Sequence, residues 1–558
     1  MEEKKTKHLK YFGIGKILPF LDKVKKLILL MILFGLLGSL TDIIIPLFQR
    51  YALDHYIGMG VFDGIVWFVI AYLSVILIAA GSNYIACTLA TVIEVRIHKD
   101  LRQTGFNHLQ TLSFSYFNQN SVGYIHARLM SDTSRIGTLA SWILIDGVWH
   151  LTYLVGAIVV MLILDPGLTA LVLAILPVLV VLFSIFQKKL IHVNREVREI
   201  NSKITANFNE GITGAKTVKS LAIEEKMEQH FREDTQAIRK KSIHASRLRG
   251  LFAGTMRLAS SVALSIVLWK GGYIAVEEIG TFSVFMSYAQ GMMEPLRWIV
   301  DIISDLITTQ VNIERFTNLL AVKSDVTDTP EVIEKYGNSF EPKKENWEPI
   351  LGDIEFRDVT FQYPDGDENV LEHFNLKIPF GSHIAIVGET GAGKSTLVNL
   401  VCRFYEPTEG TLLIDGKDAR ERSQLWLHSA IGYVLQNPHL FSGTVRENLT
   451  LVADESEKAF RQALAIAQAD FVEDLNTTLG ENNTGLSKGQ LQRLAIARAI
   501  LMDRPIFLLD ECTSALDAQT EAAVLKGLQS LGKQAILVTH RPEALTDLTG
   551  ITKVEMDK

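Results

Sequence analysis

Cysteine is nearly missing from this chain of 558 residues: Cys87, Cys402 and Cys512 stand far apart and in no paired spacing. Three such residues exclude a disulfide framework and a zinc site built from closely spaced thiols. An excess of positive charge is lacking too. The net charge is -7 and no basic tract is interleaved with aromatics, so nucleic acid is not an expected partner. No small-residue cleavage site follows the first long apolar run, which favours a retained helix over a signal peptide. Proline is absent from two long stretches rich in helix formers, Glu94–Leu112 and Arg195–Arg249. Nothing in either stretch therefore forces a helix to stop.

What is present is unevenly distributed. Hydrophobic residues make up 48% and the mean hydropathy is +0.20, although 21% of residues are charged; the two agree only if an apolar part and a polar part are segregated. The length calls for two or three domains. Residues 1–321 hold apolar runs of the ~20-residue length that crosses a bilayer. The predicted spans are Leu27–Phe48, Ile65–Ala86, Ile136–Leu164, Leu168–Phe186, Leu251–Ile274 and Phe282–Ile303. Lys4, Lys5, Lys7, Lys10, Lys23, Lys25 and Lys26 precede or open the first span, and Lys188, Lys189, Arg239, Lys240 and Lys241 lie in the long connection 187–250. The short link Asp165-Pro166-Gly167 carries no positive charge. Positive segments stay inside, so both termini and both long connections are cytoplasmic, and the plasma membrane is the expected location. Structureless loops of that length are rare. The connections are therefore read as membrane helices extended into the cytoplasm and joined by turns near Phe114–Gly123 and Gly211–Lys219.

Residues 322–350, with Pro330, Pro342 and Pro349 among charges, read as a linker. From 351 to 558 apolar strands alternate with helices, the pattern of a mostly parallel sheet covered on both faces. Gly388-Glu389-Thr390-Gly391-Ala392-Gly393-Lys394-Ser395-Thr396 follows the apolar run Ile384–Val387 and precedes a predicted helix, Leu397–Phe404. That setting gives a G-x-x-x-x-G-K-[ST] motif its meaning as a phosphate loop. The glycines let backbone N–H groups face phosphate oxygens, Lys394 adds a point charge, and the Ser395 hydroxyl is a Mg²⁺ ligand. A second buried strand, Pro505–Leu509, ends in Asp510 and Glu511. Asp510 is placed to hold the Mg²⁺ shell and Glu511 to polarise an attacking water. Two solvated carboxylates at a strand end are the plain alternative, and it loses force once both motifs occur in order within one domain.

Leu486-Ser487-Lys488-Gly489-Gln490 and the helix after it, through Ala499, are similar to the signature of ATP-binding cassette (ABC) transporters. Gln436 matches that family's Q-loop, Ser514-Ala515-Leu516-Asp517 its D-loop, and His540 after Ala535–Val538 its switch histidine. Tyr363 sits where the family stacks an aromatic ring on adenine. Phe117–Tyr124 with Arg128 and Asp132, and Asn209–Ile212, resemble the inner hairpins of exporters of the multidrug and lipid type. Each of these residues has an ordinary reading alone, as a turn, a surface histidine or a packing tyrosine; six features in family order leave that reading little room. The resemblance implies an all-α polytopic membrane domain of six transmembrane helices with long cytoplasmic extensions, followed by an α/β P-loop ATPase domain. It implies ATP and Mg²⁺ as cofactors. It further implies that Ser487, Gly489, Gln490 and Asp517 bind nucleotide, with Ser487, Gly489 and Gln490 capping the nucleotide of a second subunit, and that Gln436 assists both metal binding and catalysis. ATP then closes two ATPase domains head-to-tail and hydrolysis resets them, moving an amphipathic drug, lipid or peptide outward. A nucleotide-gated or regulatory membrane protein with little turnover is the alternative.

Two departures from the family pattern qualify these expectations. Lys488 replaces the usual glycine, which favours a heterodimer with a different half-transporter over a homodimer. After His540 the closing hairpin and helix of the family are expected to be missing or pared down, with Ile551–Met556 as the last strand. A substrate path is sought among intramembrane polar residues, namely Asp42, Asn83, Asp146, His150 and Glu294, with Trp142, Trp149 and Trp298. The structural reading of Glu294 places it at the cytoplasmic interface or in a pair with Arg297.

Overall fold

The computed structural model describes residues 10–541 and 550–556, apart from 175, 273–278, 390, 452–454 and 481–484. The chain forms two compact units, Met1–Phe106 with His126–Ala321, and Asn107–Ile125 with Val322–Lys558.

The first unit is helical. Helices span Lys25–Tyr51, Ile65–Leu109, Leu144–Leu164, Pro166–Leu173, Leu176–Thr213, Glu224–Gly271, Ile279–Gly291 and Met293–Ala321. Among the described residues, four helical stretches are long and apolar enough to cross a membrane: Lys25–Gly58, Ile65–Leu109, Val122–Leu164 and Glu224–Lys270. The third passes through π-helical turns at Ala127–Asp132 and Leu139–Ile143. The predicted fourth and sixth spans are each divided between two helices, and the second helix of each pair carries a proline in its first turn, Pro177 and Pro295. Proline fits a first turn, where its missing N–H has no helical partner, and resists a continuous helix. The proline-free stretches form the expected long helices, but the joins differ. Short helices, Phe114–Gln119 and Ala215–Leu221, occupy the positions where turns are expected, and the second stretch breaks at Gly214 and at the left-handed Ala222. Ile65–Leu109 has 45 residues and Glu224–Gly271 has 48, which at 1.5 Å per residue is about 70 Å each. A hydrocarbon core takes up about 30 Å, so each helix has length to spare for the cytoplasm. Exposed Leu29, Trp67 and Ile163 form part of an apolar outer surface suited to lipid.

The second unit is an α/β domain. An antiparallel sheet contains β1 (Ile354–Gln362), β2 (Asn369–Ile378), β4 (Glu409–Ile414) and β5 (Lys417–Asp418). A parallel sheet in the order β11-β3-β10-β9-β6 contains β3 (His383–Gly388), β6 (Ile431–Val434), β9 (Ile506–Asp510), β10 (Gln534–Val538) and β11 (Ile551–Met556). Gly443–Thr444 and Thr478–Leu479 make a small pair, β7 and β8. Alternation explains why the central strands read as unbroken apolar runs. Ile384, Ile386, Ile506, Leu508, Ile536 and Val538 enter one core, and Ala385, Val387, Phe507, Leu509 and Leu537 enter the other. Successive side chains on a strand face opposite ways, and here both faces are covered.

Residues 322–350 pack into this unit. Thr329 caps the helix Pro330–Tyr336 by accepting from the Val332 N–H, and Tyr336 rests against Trp426 with centroids 4.7 Å apart. Arg403, 2% exposed, donates to Asp328 Oδ1 at 2.7 Å, Glu406 Oε1 at 2.9 Å, and the carbonyls of Thr327 and Arg422.

Candidate functional site

The nucleotide motif grows out of the middle of the parallel sheet. β3 ends at Gly388, and the loop turns into the helix Lys394–Val401. A Cβ on Gly388 would lie 2.3 Å from the carbonyl oxygen of Met556, which sits beside it at the end of β11. Gly393, the residue before the helix, has φ +88°, and a Cβ there would meet Leu371 at 3.0 Å. Only glycine adopts both arrangements without strain. Thr390 lies outside the described residues. Glu389 contributes its carbonyl: the Lys394 ammonium donates to the Glu389 oxygen at 2.6 Å and to the Gly388 oxygen at 2.9 Å. Ala392 is buried in the core beneath the loop.

Asp510 ends β9 and is almost fully buried. Its carboxylate accepts from the Ser395 hydroxyl at 3.0 Å and from the Tyr433 hydroxyl at 3.5 Å. Burial pushes the Asp510 carboxyl above its ordinary value, while the Ser395 bond pulls it back. Burial also lowers the Lys394 ammonium, opposed by the charges of Glu511 and Asp510. Both shifts have one cause: a cation and an anion taken from water without full compensation.

Glu511 leaves the strand in a left-handed conformation, φ +46°, uncommon for a residue with a side chain. Its N–H is held by the Val538 carbonyl at 3.0 Å. Gln436 Nε2 donates to one carboxylate oxygen at 2.5 Å, and His540 Nε2 contacts the other. Tyr363 bonds through its hydroxyl to Thr396 Oγ1 at 2.9 Å, and its ring stands edge-on to Phe361 and Tyr405. Tyr363, Gly391, Gly393, Lys394, Ser395, Thr396, Gln436, Glu511 and His540 line one cavity of about 620 Å³, together with Val370. That volume lies in the usual range for small-molecule sites.

The signature residues line no part of that cavity. Ser487 caps the helix Lys488–Leu501 in a reciprocal capping box: its hydroxyl accepts from Gln490 N, and Gln490 Oε1 accepts from Ser487 N. The Gln490 amide is therefore engaged within its own loop. Lys488 is exposed at the first helical position. Asp517 caps the helix Ala518–Gln529, accepting from the Thr520 N–H and hydroxyl, and those bonds hold its carboxyl below the ordinary range.

In the membrane unit, Trp142 donates to Glu94 at 2.9 Å, and His150 lies 5.6 Å from Trp298 between ring centroids. The expected Glu294–Arg297 pair does not form. Arg297 instead lies 3.5 Å from Asp301, four residues on along the same helical stripe. An apolar cavity of about 390 Å³ is lined by Ile17, Ile28, Leu144, Leu151, Trp298 and Leu306, among others.

Comparison with known proteins decides the family. Residues 28–296 match the model of the ABC transporter transmembrane region and residues 371–514 the ABC transporter model. The chain belongs to the ABC transporters. The ABC transporter ATP-binding protein YfiC of Bacillus subtilis is 29% identical over 544 residues, covering 95% of this chain and 87% of that protein. The ATP-dependent lipid A-core flippase of Escherichia coli K12 is 27% identical over 532 residues, covering 93% and 89%. The fold matches a bacterial Atm1-family ABC exporter with ATP bound, with a TM-score of 0.77 at 23% identity and coverage of 96% and 95%. This ABC transporter is thus a multi-pass membrane protein with a cytoplasmic ATPase domain that binds ATP and couples its hydrolysis to transport.

Three residues of this ABC transporter's site escaped the sequence reading. Tyr433 supports Asp510, Gln492 reaches three loops of the site, and Arg541 donates to the carbonyls of Ser514 and Leu516 at 3.2 Å. Their partners are distant in sequence. Only Gln492 carried a local signal, as a lone amide in the helical run Leu491–Ala499.

Proposed function

We propose that this chain is the hydrolytically competent half of an ATP-driven exporter, acting with a second half-transporter. One observation carries the reading: Lys394, Ser395, Glu511, Gln436 and His540 converge on one cavity while Ser487 and Gly489 stand outside it. The signature loop is then free to cap a nucleotide held by the second subunit. Lys394 and the loop N–H groups hold the phosphates, and the Tyr363 ring faces the base. Glu511 takes the proton of the attacking water. His540 and Gln436 hold the two oxygens of its carboxylate and so fix its aim. Ser395, Asp510 and Gln436 would hold Mg²⁺, which neutralises phosphate charge when bound with the nucleotide. The residues fit that ion: one buried carboxylate and one hydroxyl suit a cation that keeps waters and substrate phosphates as its other ligands.

Domain boundaries at 321 and 351 remain our assignment, with the segment between them serving the ATPase unit. The apolar cavity near Trp298 and the likeness to a lipid A-core flippase support an amphipathic substrate. Lys488 supports a heterodimer, with this chain's signature loop serving the weaker site. The test of the chemistry is Glu511→Gln in the full-length protein. Turnover falls about 10²-fold or more while ATP binding stays at the parent level; unchanged turnover would remove Glu511 from the role of base.

A further inference from the structure

The helix that carries the signature loop is tied to the backbone of its own chain's Glu511 by one buried side chain. Gln492 lies on the helix Lys488–Leu501, five residues after Ser487, and is 4% exposed. Its amide nitrogen faces three acceptors: the Ser514 hydroxyl oxygen at 3.3 Å, the Gln436 carbonyl at 3.4 Å and the Glu511 carbonyl at 3.5 Å. Its amide oxygen accepts from the Ala515 N–H at 3.2 Å. One side chain therefore spans the segments of Gln436, Glu511 and Ser514–Asp517 and uses both ends of its amide. A buried amide with several specific partners resists displacement, because moving it strands polar groups out of water.

The neighbouring contacts make the connection stiff. Gly489 lets the first turn of the same helix approach the Ala515 carbonyl, where a Cβ would sit at 3.0 Å. Arg541, next to His540, donates to the Ser514 and Leu516 carbonyls from another side. Thr513 donates to Glu521 at 2.7 Å, and Glu521 lies 3.5 Å from Arg541. The segment 513–517 is thus held between the signature helix and the His540 segment. Hydrogen bonds and close packing run without a gap from the first turn of the signature helix to the Glu511 backbone.

We propose that Gln492 is a positioning residue that couples the two nucleotide sites of the dimer: closure of this chain's signature loop on the second subunit's ATP is transmitted through Gln492 to the aim of this chain's own Glu511. The proposal rests on the reading that the signature loop caps the second subunit's nucleotide. Gln492 touches no nucleotide. It acts through the backbone of Gln436 and Glu511 and through the Ala515 N–H.

The test uses the full-length dimer in nanodiscs, with separate tags on the two subunits. Q492M keeps the length of the side chain and removes both amide functions. Q492E keeps the acceptor for Ala515 and turns an oxygen towards the carbonyls of Gln436 and Glu511. Turnover against ATP concentration, equilibrium binding of a fluorescent ATP analogue and the unfolding midpoint are measured for each. Both variants are expected to lower kcat about tenfold or more, with ATP affinity and unfolding midpoint at parent values and the dependence on ATP concentration less cooperative. A parent-like kcat in either variant overturns the proposal. So does a fall of kcat, affinity and midpoint together, and so does failure of both variants to fold, since Gln492 is then a packing residue. S487R separates the underlying reading: if it leaves trapping of labelled ATP at the second subunit's phosphate loop intact, the capping assignment itself fails. If S487R abolishes that trapping while the Gln492 variants behave as parent, only the coupling fails.

Discussion

Glu511 and Arg403 show how differently two charged side chains can be used within one sheet-based domain. Glu511 is held in a left-handed backbone with one carboxylate oxygen on Gln436 and the other on His540, so its charge is aimed into the nucleotide cavity. Arg403 is also left-handed, at φ +51°, but it faces inward and joins Asp328 and Glu406 to two backbone carbonyls. Removing one member of a buried ion pair leaves the other uncompensated, at a cost of about 3–5 kcal/mol. Arg403→Met is therefore expected to lower the unfolding midpoint of the ATPase unit, followed by calorimetry of the full chain, and a midpoint within a degree or so of parent would refute the assignment. Gly393→Ala belongs to the same scale. Its φ of +88° and its contact with Leu371 predict loss of ATP binding with the fold retained, read by equilibrium nucleotide binding and circular dichroism. Normal affinity in that variant would show that the loop tolerates a side chain. Glu511, Lys394 and Gly393 were legible because their motifs are local and ordered. Arg403 was not, because Asp328 lies 75 residues away and no short pattern announces the pair.

At the level of elements, the membrane helices were legible from long apolar runs and from the missing prolines of the inner connections. Ile65–Leu109 continues without interruption where no proline intervenes. The divided fourth and sixth spans were less legible, because hydropathy does not register a break. Pro177 and Pro295 mark the first turn of the second helix in each, whereas Pro46 lies inside Lys25–Tyr51 without ending it. The most consequential element is the first inner hairpin tip. Asn107–Ile125 packs with the ATPase unit, through Phe114 stacked on Phe404 at 5.3 Å and Asn118 donating to the Tyr405 hydroxyl at 3.1 Å. Tyr405 in turn stands edge-on to Tyr363 at 5.1 Å. Replacing Phe114 and Asn118 together by alanine is expected to leave ATP binding unchanged and to reduce the stimulation of ATPase by transported substrate. The ratio of stimulated to basal turnover checks it. A ratio equal to parent would show that this tip carries no signal.

For the whole molecule, the proposed reading makes one chain half of a machine. The nucleotide cavity has a phosphate loop, a carboxylate and a histidine, but the chain's own signature loop lies elsewhere. The identity of the proposed second subunit was not legible, because the residues that would meet it belong to a loop whose bonds are all made within its own chain. Lys488 bears on it only indirectly, since an exposed lysine at the first turn leaves the signature helix intact. The most direct measurement is ATP turnover of the purified full-length dimer in nanodiscs, with the second subunit's phosphate-loop lysine replaced so that only this chain's loop works. An arginine is then placed at the signature serine of the second subunit alone. Turnover is predicted to fall to the level of Lys394→Ala in this chain; turnover persisting at the rate before that substitution would contradict a site completed by a second subunit.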